Sequence, residues 1–324
     1  MVEEILDNVF RLEVPLPKNP LKLLNSYLIK GSPRSLLIDT GFNRTECREA
    51  LDEGIKTLGL NWSEIDFFIT HMHGDHAGLI QTLAREESVV YCSDVDAGVI
   101  QAAKTSAYWE QVYSFLSAQG FPAEDLEKHS SMVTSYFAEQ DNERLTHVNE
   151  GDVLAVGGYL LTCVSTPGHT PGHMCLYEPK HKFLIAGDHI LANITSNITY
   201  WPFFHDSLGW YLRSLHKIDL MDIDLVLPGH RNIINDCHER IAELELHHQN
   251  RLEEALGILR QGPMNGYQVA SQMHWDMPHD DWAQVPSFQK WFATGEAIAH
   301  LEHLAEQGLV QAIRQDNRMT YKLM

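Results

Sequence analysis

Short apolar runs, several of them ending on Asp or His, alternate with stretches of helical spacing through the first two thirds of the chain. "VFRLEVPLP" alternates apolar and polar positions, "NSYLIKG" follows a Pro-containing turn, and "SLLIDTG" is a short apolar run ending in Asp39 and Gly41. Such runs, bounded by turn residues, predict paired strands at the start of the chain. In "TECREALDEGIKTLGL" the residues Ala50, Leu51, Ile55 and Leu58 share one face at helical spacing, which predicts a helix. "IDFFIT" reads as a buried strand, "HAGLIQTLARE" as helical again, and "SVVYC" as the next strand. "THMHGDHAG" therefore falls on a strand-to-helix loop, where an α/β fold usually places its chemistry.

From about Asp96 to Glu143 the pattern is mostly helical and rich in aromatics: Tyr108, Trp109, Tyr113, Phe115, Phe121, Tyr136 and Phe137. This predicts a helical insert whose rings pack on each other or cover a substrate pocket. Strand-like segments return in "GDVLAVGGYLLTCVSTPGHTPGHMCLYEP", "KFLIAGDHI" and "DLVLPGH". After Arg231 the character changes. "HERIAELELHHQNRLEEALGILRQ" predicts one long helix, "YQVASQMH" a short one, and "SFQKWFATGEAIAHLEHLAEQG" one or two more. "LVQAIRQDNRMTYKLM" predicts a hairpin around "QDNR". Three helices and then a hairpin is the element order of a winged helix. The expected division is residues 1–237 and a small α+β unit, winged-helix-like, at 238–324. His238, His247, His248, His300 and His303 fall in these helical stretches and are expected to be solvated.

Composition narrows the function classes. The 324 residues suffice for a large α/β unit and a smaller one, and carry a formal net charge of −20. Nucleic acid and anionic membrane both call for a basic footprint, so a small-molecule substrate is the expected partner. Five scattered cysteines without C-x-x-C spacing read as reduced thiols. The acidic start "MVEEILDNVF" does not read as a signal peptide, and no run reaches a membrane-spanning length. A cytoplasmic location without membrane contact is the expectation.

His71, His73, Asp75 and His76 stand within six consecutive positions of "THMHGDHAG". Imidazole nitrogens and a carboxylate oxygen suit zinc and comparable first-row ions. The H-x-H spacing on extended chain lets two imidazoles reach one ion, while the following D-H points toward a second position. His169 in "TPGHTPGH", Asp188 in "AGDHI" and His230 in "LPGH" also end apolar runs. A parallel or mixed sheet gathers such ends on one edge.

Taken in order, Asp39 in "LIDTG", "THMHGDHAG", "TPGHTPGH", "AGDH" and "PGH" resemble the five motifs of the metallo-β-lactamase superfamily, across roughly residues 8–235. The resemblance implies a four-layer αβ/βα sandwich. It implies one metal held by His71, His73 and His169, and a second held by Asp75, His76 and His230, with Asp188 bridging. Asp39 would orient ligands from behind, and His173, beside the ligand His169, is expected in the same supporting role. Zinc is the first expectation for both ions, with iron or manganese as alternatives. The implied chemistry is hydrolysis by a metal-bridging hydroxide that Asp75 helps to orient. Trp201 and His205 in "NITYWPFFHD" are expected to line the substrate pocket.

Individual positions sort the branches of the superfamily. The diiron flavoprotein branch carries a carboxylate where this chain has His73. Acyl-homoserine lactonases place a tyrosine where this chain has Leu191. True β-lactamases lack the Asp of the D-H pair, here Asp75. The sulfur dioxygenase branch, which uses one iron, shares the visible motifs. The leading expectation is a hydrolase of a small ester, thioester or lactone. The alternatives are a phosphodiesterase or endoribonuclease that holds nucleic acid with its C-terminal module, and a ligand-sensing DNA-binding regulator. From Arg240 onward seven basic residues face eleven acidic ones, and "GEAIAHLEHLAEQG", the helix that would read nucleic acid, has no Lys or Arg. Backbone contacts to nucleic acid need such cations, so packing or homodimer formation is the expected use of the module.

Overall fold

The computed structural model describes residues 1–128, 145–277 and 281–324. Part of the expected insert, with Tyr136 and Phe137, lies outside the described residues.

A seven-stranded mixed sheet runs in chain order: β1 (Val2–Leu6), β2 (Val9–Pro15), β3 (Leu23–Ile29), β4 (Ser35–Ile38), β5 (Ile65–Phe68), β6 (Val90–Ser93) and β7 (Leu145–Val148). The first four strands pair antiparallel, as short turns permit. β4 to β7 pair parallel, which requires crossovers, and helices supply them. α1 (Thr45–Thr57) links β4 to β5 and buries Cys47, Leu51 and Ile55 at i, i+4 spacing. The short α2 (Gly74–Ala77) and α3 (Ile80–Leu83) follow β5, and α4 (Asp94–Ala102) and α5 (Ser106–Ala118) follow β6. Strand β1 is an addition to the sequence reading: only "IL" breaks its run of acids, too little alternation to mark a strand.

The second sheet has five strands in the order β12-β11-β10-β9-β8: β8 (Val153–Val156), β9 (Tyr159–Ser165), β10 (Met174–Glu178), β11 (Phe183–Gly187) and β12 (Leu225–Pro228). Its one parallel pair, β11 with β12, is bridged by α6 (Ser207–Asp219). Inner faces of the two sheets meet in one apolar cluster: Val9, Tyr27, Ile38 and Phe68 from the first, and Leu161, Leu176, Ile185 and Leu227 from the second. Helices cover both outer faces. These are the four layers of the expected sandwich.

After β12 come α7 (Cys237–Leu259), α8 (Gly266–Ala270), α9 (Ser287–Glu306) and the hairpin β13 (Val310–Gln315) with β14 (Arg318–Leu323). One apolar cluster joins this segment to the second sheet. It runs from Leu184 and Val226 through Tyr211 and Leu215 of α6 to Ile241 and Leu244 of α7 and Leu301 of α9. Ile298 reaches the cluster outside the first sheet as well. Every residue of α9 from Ala293 to Leu301 is buried. The first half of "GEAIAHLEHLAEQG" is therefore interior, which accounts for its lack of Lys and Arg, while Glu306 and Gln307 at its end are exposed.

This packing corrects the expectation for two histidines. His248 and His300 are fully buried rather than solvated, with His248 Nδ1 3.1 Å from His300 Nε2. They face each other where α7 crosses α9, and the His300 Nδ1–H is satisfied by the Glu296 carbonyl at 2.8 Å. His238 is exposed as expected, whereas His247 and His303 are half-buried. No helix among the described residues is long and apolar enough to cross a membrane.

Candidate metal centre and cavity

Strand ends deliver the expected ligands to one edge of the sandwich. β5 ends two residues before Thr70, and His71, His73, Asp75 and His76 follow on the turn into α2. His169 and His173 lie on the turn between β9 and β10, Asp188 directly follows β11, and His230 follows β12. The two sheets are stitched together here. Asn25 of β3 donates its backbone N–H to the Gly229 carbonyl at 2.7 Å, and Tyr27 Oη donates to the Pro228 carbonyl at 2.9 Å. Gly187 sits at φ +48°, and a Cβ there would stand 2.8 Å from both His173 Nε2 and the Thr70 side chain. Only glycine lets β11 approach this closely.

Seven side chains converge. His73 Nδ1 lies 3.0 Å from His71 Nε2 and 3.1 Å from His169 Nε2. Asp188 Oδ1 lies 3.5 Å from both His76 Nε2 and His230 Nε2, and its Oδ2 lies 3.8 Å from His169 Nε2. Asp75 Oδ2 is 3.6 Å from His230 Nε2. The potential ligand atoms group as His71, His73 and His169; as His71, His76 and Asp188; and as Asp75, His76 and His230. Two adjacent metal positions with Asp188 between them match this grouping.

Protons around the cluster point away from its centre. His230 Nδ1–H donates to the Leu23 carbonyl at 2.8 Å, and His169 Nδ1–H to the Asn197 carbonyl at 2.8 Å. His76 Nδ1–H donates to Asp39 Oδ2 at 2.7 Å. Thr70 Oγ1 donates to Asp39 Oδ2 at 2.7 Å, so it is left to accept from His71 Nδ1 at 3.1 Å. Each of these four rings therefore turns its Nε2 inward, as metal-binding imidazoles do. His76 Nε2, His230 Nε2 and Asp188 Oδ1 are buried without a hydrogen-bond partner among the described residues. Three unpartnered buried polar atoms together would be costly. Their spacing suits a shared ion: donors 2.0–2.2 Å from a tetrahedral zinc lie roughly 3.3–3.6 Å apart. The residues present fit a divalent pair.

Electrostatics agree. Burial, reinforced by His169, pushes His73 down to about 3, so it is a neutral donor. Burial opposes charge on His76 too, but Asp188, Asp39 and Asp75 outweigh it and hold its pKa well above the ordinary value. The carboxylates there impose a negative potential that any cation would relieve. Asp75 is held at about 2: burial works to raise it, and His76 and His230 overcome that.

Asp39 and His173 lie directly behind the candidate ligands. Asp39, 2% exposed and at φ +60°, also accepts the Thr70 N–H at 2.9 Å. His173 takes the Asp188 N–H on Nε2 at 3.1 Å while its Nδ1 meets Thr166 Oγ1 at 2.8 Å. A residue not anticipated is Asp96 at the start of α4. Its buried carboxylate accepts from Met72 N at 2.9 Å, Thr170 Oγ1 at 2.7 Å and Gly172 N at 2.7 Å. It ties the His71–His73 loop to the His169 loop. In sequence "SDVDAG" reads as helix capping, and no local pattern marks its tertiary partners.

Beside the centre lies a cavity of about 470 Å³. His73, Asp75, His169 and Asp188 reach its surface. Its walls are Tyr108, Trp109 and Phe115 of α5, Tyr200 and Trp201 of the loop after Asp188, and Phe288, Trp291, Phe292 and Ile298 of α9. Trp201 thus lines the cavity as expected. His205 does not: it is exposed, outside the lining, and acts electrostatically on Glu302 instead. The chain turns at Trp201–Phe204 to reach Asp206, which caps α6, and His205 follows that turn outward. Leu191, where lactonases carry a tyrosine, adds an apolar side chain to the wall. The contribution of α9 was not legible from the sequence.

Comparisons with known proteins agree with this geometry. Residues 22–230 match the profile described as Metallo-beta-lactamase superfamily. The chain is 27% identical to the probable metallo-hydrolase YqjP of Bacillus subtilis, across 98% of each chain. It is 25% identical to the atrochrysone carboxyl ACP thioesterase of Emericella nidulans, over 74% of this chain and 61% of that one. A solved metallo-beta-lactamase family protein from Thermus thermophilus superposes with a TM-score of 0.83 at 28% identity, covering 99% of this chain and all of that one (100%).

Proposed function

The chain belongs to the metallo-beta-lactamase superfamily, a metallo-hydrolase by kinship, and we propose that it hydrolyses small ester, thioester or lactone substrates with an apolar acyl part. The observation that carries this reading is the cavity. Aromatic and aliphatic walls close on a floor of His73, Asp75, His169 and Asp188, and no Lys or Arg stands among the described lining residues. A phosphodiester backbone would call for cations there, whereas an uncharged acyl group would not. A volume of about 470 Å³ falls in the range typical of small-molecule sites, about 300–1,000 Å³.

His71, His73 and His169 would hold one divalent ion, and Asp75, His76 and His230 the other, with Asp188 between them. Zinc is favoured by the nitrogen-rich donor set. When bound, such a pair supplies Lewis acidity and lowers the pKa of water from about 15.7 toward neutrality. Asp75 stays ionised near neutral pH and faces the cavity, so it accepts a hydrogen bond from the attacking water and orients it. The apolar walls lower the polarity beside the floor, which strengthens electrostatic interactions there. Asp39, Asp96 and His173 keep the ligand loops in place. The thioesterase name of the Emericella relative supports the same bond class. Five free, buried cysteines support the expectation of a reducing, cytoplasmic setting. The buried α9 supports a small molecule as partner over nucleic acid.

The test is a zinc-loaded panel of p-nitrophenyl esters, acyl thioesters, lactones and bis(p-nitrophenyl) phosphate. Chelator-reversible turnover of acyl substrates is expected. Each added methylene contributes about 0.8 kcal/mol of burial, so KM should fall roughly fourfold per methylene until the cavity fills. Turnover confined to the phosphodiester, with no acyl substrate cleaved, would overturn the reading.

A further inference from the structure

We propose that Glu296 of α9 is a positioning residue for His169, acting through Asn197, so that the C-terminal segment sets the grip on one metal position. The inference rests on the assignment of His169 as a metal ligand.

The connection is short and buried. His169 Nδ1–H donates to the Asn197 carbonyl at 2.8 Å. The Asn197 side-chain amide donates to Glu296 Oε2 at 3.0 Å; its other acceptor is the Phe292 carbonyl, at a long 3.5 Å. Glu296 is 8% exposed, and its Oε1 lies 3.9 Å from Arg251 Nε on α7. Arg251 is itself 7% exposed and held by the His274 carbonyl at 2.7 Å and by the Trp275 ring, 4.2 Å away. The Tyr200 N–H donates to the Gly295 carbonyl at 3.2 Å, and a Cβ at Gly295 would stand 2.1 Å from Thr199 Oγ1. The loop carrying Asn197 is therefore pressed on α9 at two points, with glycine making room for one.

A buried carboxylate is destabilising unless paired and hydrogen-bonded. If α9 only filled space here, an apolar residue of similar size would serve better than Glu296. The carboxylate is instead directed at one amide, and that residue's carbonyl orients a ligand ring. Without Glu296, Asn197 keeps only the long bond to Phe292, and its carbonyl is free to turn away from His169 Nδ1–H. The ring then loses what selects its tautomer and direction, a kind of loss that typically weakens metal binding about 10–100-fold.

The experiment is a chelator-competition titration of zinc on full-length protein, with thermal unfolding in parallel. Glu296→Ala should weaken one of two zinc affinities about tenfold or more. Glu296→Gln, which keeps an acceptor for Asn197, should stay within about threefold of wild type. Leu304→Ala, also buried in α9 but away from the cavity, should lower the melting temperature and leave zinc affinity alone. Should Glu296→Ala not fold, Asn197→Ala breaks the same hydrogen bond from the loop side and must show the same loss. The double variant should lose no more than either single one. Wild-type zinc affinity in Glu296→Ala or Asn197→Ala, or an equal loss in Leu304→Ala, overturns the positioning role. Failure of wild type to bind zinc, or undiminished binding by His169→Ala, overturns the ligand assignment itself.

Discussion

Asp39→Asn tests the organisation of the centre most sharply, because it changes one atom and leaves no satisfactory arrangement. In the native site Oδ2 accepts from Thr70 Oγ1 and His76 Nδ1, each at 2.7 Å, and Oδ1 accepts from the Thr70 N–H at 2.9 Å. All three donors are buried with Asp39. An asparagine offers one acceptor and one amide. With its oxygen toward His76, the NH2 meets the Thr70 N–H, and a buried donor loses its partner at about 1–3 kcal/mol. With the amide reversed, the NH2 faces His76 Nδ1. That ring must then carry its proton on Nε2, the atom turned toward Asp188. The first outcome lowers stability, and the second removes a lone pair from the metal position. The expected result is a loss of about 10–100-fold in affinity at that position together with a melting temperature lower by a few degrees, at about 1.5 °C per kcal/mol for a chain of 324 residues. Chelator-competition titration and thermal unfolding of stripped protein measure the two effects. Two ions bound at wild-type affinity with unchanged melting would refute the assignment of Asp39 as the orienting group.

Asp188→Ala should abolish binding of both ions and all turnover, since its two oxygens face both positions; elemental analysis showing two ions in an active variant would exclude the bridging role. Phe292→Ala removes a partly exposed aromatic ring from the cavity wall. KM for apolar acyl substrates should rise about fivefold, as expected for about 1 kcal/mol of aromatic contact, with kcat little changed; a fall in kcat at constant KM would argue that α9 acts otherwise. Burial pushes Glu296 up to about 6 from the usual 4.5, against the pull of Arg251 and Asn197. A raised carboxyl pKa means the folded state holds the proton more tightly, so Glu296 adds stability as pH falls through 6 toward 4.5. Relative to Glu296→Gln, wild type should gain about 1 kcal/mol between pH 7.5 and pH 5, or about 2 °C in melting temperature. A pH-independent difference would show that Glu296 titrates normally.

Local pattern in the sequence determined most of the strands and helices and marked the candidate metal-binding residues, while the layered arrangement came from the family resemblance. Apolar runs of strand length and faces such as Leu51 and Ile55 follow from burial on one side, a constraint each segment carries by itself. The candidate donors of H-x-H-x-D-H are equally legible, because they stand at close spacing on one loop. The turn residues that end β9, β11 and β12 are confined by the geometry of strand ends. What only the tertiary structure decided lies in contacts between segments far apart in the chain. Asp96 looks like a helix cap until the His71 and His169 loops close on it. His248 and His300 look solvated until α7 crosses α9. "GEAIAHLEHLAEQG" reads as the helix that would meet nucleic acid, and packing instead buries its first half, with Gly295 and Ile298 against the cavity. Periodicity records that a residue is apolar or polar, and distance along the chain carries no signal of which polar partner will meet it. The donors that would activate water were therefore written locally, while the shape that selects what the water attacks emerged only when α5, the loop after Asp188 and α9 came together.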